Sequence, residues 1–184
     1  MDNGASSYRR FLADENEGLS ELIRDYNDGL VFYINSLVDN FCIAEELTEE
    51  VFAELVVNKP RYSGKSSFKT WLYSIARYIA IDYLKSRNRF SDVPVDEMYT
   101  LADEVDLERR FLREEQRIQL HRCLGRLTAD YRQVLWLSYF EELSNTDIAG
   151  IMGKSNRQVE NLLYRAKQAL KNELGKEGYV YEEL

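Results

Sequence analysis

Apolar residues recur at intervals of three and four along most of the chain, a pattern that predicts helices throughout. Over 21–38, Leu22, Ile23, Tyr26, Leu30, Tyr33, Ile34 and Leu37 fall on one stripe, which Asp39 and Asn40 break. A second helix, over about 43–58, buries Leu47, Val51, Phe52 and Leu55 and displays Glu45, Glu46, Glu49, Glu50 and Glu54. Pro60 and Gly64 then enforce a loop. The helix that follows, over about 68–87, has Phe68, Trp71, Leu72, Ile75, Ala76, Ile79 and Tyr83 as its core stripe, with Thr70, Tyr73, Ser74, Arg77, Tyr78, Ile81 and Lys85 on the other side. Residues 1–20 lack sustained periodicity and read as a frayed lead-in. Residues 91–113, with Pro94 and many carboxylates, read as a flexible linker. The second domain opens near Asp106, in the last part of that segment, with Ile118, Leu120, Leu124 and Leu127 as core positions. Thr128 caps a helix whose middle, Val134, Leu135, Leu137, Ser138 and Phe140, reads as almost wholly buried.

The stretch 144–172 carries the sharpest signals. Ser144 with Asp147, and Ser155 with Gln158, form two capping boxes, and Gly153 suits the left-handed position that ends the first of two short helices. The second helix buries Val159, Leu162, Leu163, Ala166 and Leu170. Its opposite face presents Arg157, Glu160, Asn161, Tyr164 and Gln168, side chains able to hydrogen-bond base edges in a major groove. An αα-hairpin in a bundle would share the caps and the periodicity. Small Ala149, Gly153 four residues later and apolar Val159 six beyond resemble a DNA-binding helix-turn-helix. The fold class is therefore all-α: two small helical domains, 21–90 and 114–176, joined by the linker 91–113, with a tail at 177–184 and the helix-turn-helix in the C-terminal domain.

With 184 residues and 45% hydrophobic content the chain can build real cores. No apolar run approaches the roughly 18 residues a membrane span needs, and the N-terminus is no signal peptide, so neither insertion nor export is expected. Cys42 and Cys123 are far apart and His121 has no companions, so the reading is inert thiols in the cytosol, no metal and no cofactor. The net charge of -8 hides an alternation: -10 over 1–58, +7 over 59–90, -6 over 91–115, +4 over 116–176 and -3 in the tail. Two basic blocks between acidic ones suit a protein that meets phosphate on two separate surfaces.

Each block has a plain reading beside its functional one. The acidic face of 43–58 can be solvated surface. Tyr73 and Tyr78 can pack on another helix, or their rings, interleaved with cations beside a Ser/Gly loop, can stack unpaired bases. Asp82 is expected to pair with a nearby Arg or Lys. A phosphate-binding Gly/Lys loop, a paired His/carboxylate motif and an activated nucleophile are all missing, so no enzyme is expected.

Three segments then carry a family resemblance: AEELTEEVFAEL at 44–55, SGKSSFKTWLYSIARYIAIDYLKSRNR at 63–89, and LTADYRQVLWLSYFEELSNTDIAGIMGKSNRQVENLLYRAKQAL at 127–170. In this order the chain resembles a bacterial sigma factor of the extracytoplasmic-function (ECF) group, with 21–90 as sigma region 2 and 114–176 as region 4. The resemblance implies promoter recognition and transcription initiation with core RNA polymerase, contacted at the largest subunit's clamp helices and at the flap region. Glu45, Glu46, Leu47, Glu49, Glu50 and Phe52 would meet the clamp helices. Lys65, Ser66, Ser67, Lys69, Tyr73, Arg77, Tyr78 and Lys85 would capture the melted single strand of the minus-ten element. Ser155, Arg157, Glu160, Asn161, Tyr164 and Arg165 would read the double-stranded minus-thirty-five element. An anti-sigma factor is implied as a further partner. The chain departs from the family pattern at Tyr78, where Asn is common, and at Glu160 and Asn161, where a basic residue and Ser are more usual. Glu160 can accept from a cytosine amino group but repels phosphate. A helix-turn-helix transcriptional regulator that binds duplex DNA only is the alternative, and the segment 63–89 distinguishes the two.

Overall fold

The computed structural model describes residues 3–90 and 122–176, and all regular structure among them is helical. The expected linker, the core positions Ile118 and Leu120, His121 and the tail lie outside the described residues.

Among the described residues the helices whose bounds are fixed are, in order, α1 (Asn3–Leu12), α2 (Asn16–Val38), α3 (Phe41–Val57), α4 (Phe68–Phe90), α5 (Ala129–Leu135), α6 (Asn145–Met152) and α7 (Asn156–Lys176); residues 122–125 are helical as well. The lead-in expected to fray is instead α1, because Tyr8 and Phe11 are buried against the N-terminal bundle and Ser7 donates to Glu21 of α2 at 2.6 Å. Two large rings one turn apart are too few to register as periodicity, yet enough to anchor ten residues.

Helix α2 stops where Asp39 adopts a left-handed conformation, with φ 55°, and Asn40 caps α3 by accepting from the Ile43 amide at 3.1 Å. Leu22, Leu30, Tyr33, Ile34 and Leu37 of α2 meet Leu47, Val51 and Leu55 of α3 and Phe68, Leu72 and Ala76 of α4 in one core. Ser67 caps α4 through the Thr70 amide at 3.1 Å.

In the C-terminal part α5 runs into a π-helical turn, Trp136–Phe140. The Glu141 amide reaches back to the Trp136 carbonyl at 3.1 Å, a five-residue spacing that rotates the following side chains relative to an α-helix. Phe140, expected inside, is turned outward for this reason and lies flat on Trp136, ring centroids 4.2 Å apart and planes at 8°. Thr128 sits at the N-cap of α5, but its hydroxyl makes no capping bond.

The two helical parts pack on each other. Helix α4 lies against α6, and α2 against α5, so the buried residues of the two parts form one continuous cluster.

Candidate nucleic-acid interface

The helix-turn-helix follows the local chemistry closely. Ser144 Oγ accepts from the Asp147 amide at 3.2 Å and donates to its carboxylate at 2.5 Å. Gly153 ends α6 at φ 63°, ψ 37°. At the start of α7 the capping box is reciprocal: the Gln158 amide donates to Ser155 Oγ at 3.3 Å, and the Ser155 amide to Gln158 Oε1 at 2.8 Å. Val159 and Ala166 are fully buried, while Leu162, Leu163 and Leu170 are half-buried. Ser155, Arg157, Glu160, Asn161, Tyr164 and Arg165 are all exposed, as is Gln168. A continuous polar face of this length, held at the end of a capped turn, can enter a major groove.

The loop between α3 and α4 presents a second surface. Lys65, Ser66 and Ser67 are exposed on it, and Gly64 takes the positive φ of 70° that its turn requires. Beyond the loop, Tyr78 is 74% exposed and Lys85 is exposed on the outer side of α4. A groove of about 320 Å³, lined by Arg77, Tyr78, Asp82, Lys85 and Gly153, sets the outer side of α4 beside the α6–α7 turn.

Three residues expected on the single-strand face are not free. Tyr73 is 1% exposed, its ring 5.2 Å from that of Tyr33. Burial first, and the Glu141 carboxylate second, push its phenol far above the usual range. Lys69 Nζ lies 2.7 Å from Glu141 Oε2 and donates to the Glu141 carbonyl at 2.9 Å. Arg77 donates to Gln133 Oε1, and the other end of buried Gln133 donates to the Ala129 carbonyl at 3.1 Å. Beside them Thr70, 5% exposed, donates to Asp147 at 2.9 Å. The C-terminal part covers this side of α4, so the expectation of an open face fails for Tyr73 and is only half met for Lys69 and Arg77. Asp82, expected to pair with a cation, is exposed and makes no ion pair among the described residues.

Other residues of the seam were missed by reading the chain locally. Arg132 donates to the carbonyls of Ser36 at 3.0 Å, Gly125 at 3.1 Å and Leu127 at 3.0 Å, tying the end of α2 to the start of α5. Trp136 stacks on Phe32 with centroids 5.2 Å apart and donates to Glu141 at 3.1 Å. No periodic or motif signal marks these residues, because their partners lie far away in sequence.

On α3, Glu45, Glu46, Glu49 and Glu50 form an exposed acidic stripe. Leu47 and Phe52, expected beside them at a partner surface, are 3% and 7% exposed and belong to the core beneath it. No cluster of His, Cys, Asp and Glu able to hold an ion occurs among the described residues. No described helix is long and apolar enough to cross a membrane.

Comparison with known proteins agrees with this geometry. Residues 22–90 match the model described as Sigma-70 region 2, and residues 117–170 the model described as Sigma-70, region 4. The chain is 27% identical over 162 residues to RNA polymerase sigma factor YlaC of Bacillus subtilis, spanning 87% of this chain and 94% of that one. It is 30% identical over 158 residues to the RNA polymerase sigma-H factor of Pseudomonas aeruginosa, spanning 81% of this chain and 82% of that one. Among solved structures it resembles the sigma factor RpoE in complex with the anti-sigma factor NepR from Bartonella quintana, with a TM-score of 0.67 at 20% identity, covering 85% of this chain and 96% of that one. It also resembles CnrH in complex with the cytosolic domain of CnrY, with a TM-score of 0.63 at 18% identity, covering 95% and 96%. These two likenesses concern the fold. The chain is also 30% identical over 130 residues to the ECF RNA polymerase sigma factor SigC of Mycobacterium tuberculosis, spanning 69% of this chain and 68% of that one, and with both sigma regions matched in order it belongs to the RNA polymerase sigma factors of the extracytoplasmic-function (ECF) group.

Proposed function

We propose that this sigma factor divides its work among three surfaces, and that it catalyses no reaction itself. The acidic stripe Glu45, Glu46, Glu49 and Glu50 docks on the clamp helices of core RNA polymerase, with Leu47 and Phe52 shaping the helix from beneath. Lys65, Ser66, Ser67, Tyr78 and Lys85 take the displaced single strand of the minus-ten element. The outer face of α7, from Ser155 to Arg165, reads the minus-thirty-five duplex. The protein works in the bacterial cytoplasm and is held in check by an anti-sigma partner, a reading supported by its likeness to RpoE, solved in complex with the anti-sigma factor NepR.

The observation that carries this reading is the coexistence of two distinct exposed faces. One is a basic Ser/Gly loop leading to an outward tyrosine and lysine; the other is a capped helix with a polar outer face. Stacking of a base on an aromatic ring can return about 1–3 kcal/mol, which helps offset the loss of duplex stacking during melting. Duplex reading needs phosphate contacts plus a few side chains in one groove. A duplex-only regulator would have no use for the first face, and the region 2 match covers it.

Lys69, Thr70 and Arg77 are engaged by Glu141, Asp147 and Gln133. Their participation in strand capture therefore requires the two helical parts to separate on polymerase. The test is promoter opening, followed by a fluorescent base analogue in the minus-ten region, with core polymerase and full-length protein. Neutralising Lys65 and Lys85 together is expected to lower opening and flatten its salt dependence. Unchanged opening would remove the assignment.

A further inference from the structure

We propose that Tyr8 of α1 is a positioning residue for the strand-capturing loop, holding it in the conformation that presents Lys65, Ser66 and Ser67. This inference rests on the proposed role of that loop.

The loop at 58–67 has no regular hydrogen-bonded structure, and its tip is exposed. Its two ends are nevertheless tied. At the entry, Tyr8 is 1% exposed and its hydroxyl donates to the Pro60 carbonyl at 2.8 Å, across 52 residues of chain. One residue earlier, Lys59 Nζ lies over the Phe11 ring at 5.5 Å and 3.9 Å from Asp14 Oδ1, so α1 and the residues just after it hold two consecutive loop residues. At the exit, the Tyr62 hydroxyl donates to the Ser66 carbonyl at 2.5 Å.

Both tyrosine rings rest on the same base. Tyr8 is 5.5 Å from Phe68 and 5.4 Å from Trp71; Tyr62 is 5.5 Å and 5.3 Å from the same two rings. Phe68 opens α4, so the loop is framed by an aromatic block built half from α1 and half from its own flank. Gly4 allows the close approach: a Cβ there would lie 2.5 Å from Phe68 Cδ1 and 2.5 Å from the Tyr26 hydroxyl. Burial, and then the nearby Glu54 charge, push the Tyr8 phenol up to about 12, so it remains a donor at every physiological pH.

Holding a binding loop in place lowers the ordering cost paid when its ligand arrives. Tyr8→Phe keeps the ring and the packing but removes the donor, so the loop should sample more conformations while its charges stay. Losing one such hydrogen bond should weaken strand binding roughly three- to tenfold.

The test uses full-length protein reconstituted with core polymerase and a fluorescent random-sequence pool of single-stranded 12-mers at low salt. A Lys65→Ala, Ser66→Ala control establishes whether the loop binds strand at all. The expected result is that the control lowers both affinity and salt slope. Tyr8→Phe should lower affinity with an unchanged salt slope, unchanged affinity for polymerase, and faster hydrogen exchange of the amides at 61–67. Gly4→Ala, which pushes α1 away from Phe68 at its other end, should reproduce the exchange and affinity changes. If the control weakens binding and Tyr8→Phe does not, Tyr8 has no positioning role. If the control itself has no effect, the loop assignment is wrong and the inference falls with it.

Discussion

Lys69 of α4 reaches across to Glu141, just after the π-helical turn, with its ammonium 2.7 Å from the carboxylate and 2.9 Å from the backbone carbonyl of the same residue. The Glu141 side chain is 9% exposed and also accepts from the Trp136 indole at 3.1 Å. One carboxylate thus gathers a cation of the N-terminal part and an indole of the C-terminal part, on the side of α4 where strand contacts were expected.

Glu141→Gln keeps the shape of this junction and removes its charge. With Lys69 about one-third exposed, screening keeps the loss to about 1–2 kcal/mol. The expected outcome is a shift toward separated halves, read as a longer distance between fluorophores on α3 and α7, and tighter binding of single-stranded DNA by the free protein. A closed distance unchanged by the substitution would show that packing alone holds the seam.

Gly29 probes the same junction without removing a charge. A Cβ at this position of α2 would lie 2.4 Å from the Tyr73 hydroxyl and 2.8 Å from Glu141 Oε1. Alanine is about 1 kcal/mol better than glycine inside a helix. Overpacking against the Tyr73 ring, 1% exposed and packed on Tyr33, costs about 1–3 kcal/mol. Gly29→Ala should therefore destabilise the closed arrangement, seen as a lower Tm in thermal denaturation of the free protein and as the same fluorophore separation.

A pH effect follows at α1. Glu21 accepts from Ser7 and pairs with Arg10, and these two partners, Ser7 foremost, hold its carboxyl below the ordinary value of 4.5. The charged form is the one favoured by the fold, so this contribution is complete above the unfolded value and is lost as pH falls through the lowered folded one. Glu21→Gln should flatten that part of the acid limb of the Tm-against-pH profile. An acid limb identical to wild type would place the loss elsewhere.

Arg157 and Asn161 offer the cleanest separation of stability from recognition, since both are exposed on α7. Alanine at either should cost about 1–3 kcal/mol in minus-thirty-five duplex binding. Tm and association with core polymerase should stay the same, measured by melting and by sedimentation. Loss of polymerase binding would reassign this face.

Much of this design is legible in the chain because it is local. The caps at Ser144 and Ser155, the left-handed Gly153 and the break at Asp39 each depend on a few neighbouring residues, and each lies where the pattern predicts. The exposed face of α7 follows from the same short-range logic. Tyr73 fails for the opposite reason. Whether the second side of α4 meets water is decided by residues some seventy positions away, and periodicity within α4 holds no information about them. Phe140 fails because a π turn changes the angle per residue that the pattern assumes. Helix α1 was hidden by its economy: two buried rings, the Tyr8–Pro60 hydrogen bond and the Ser7 and Arg10 contacts to Glu21 do what a longer stripe does elsewhere.

The most direct measurement is run-off transcription from a pool of genomic fragments, comparing core polymerase alone with core polymerase plus this chain. Discrete start sites that appear only with the protein, and are lost when Arg157 and Asn161 are both alanine, are the predicted result. Transcription indifferent to the protein, while the same protein still binds duplex DNA, would contradict it.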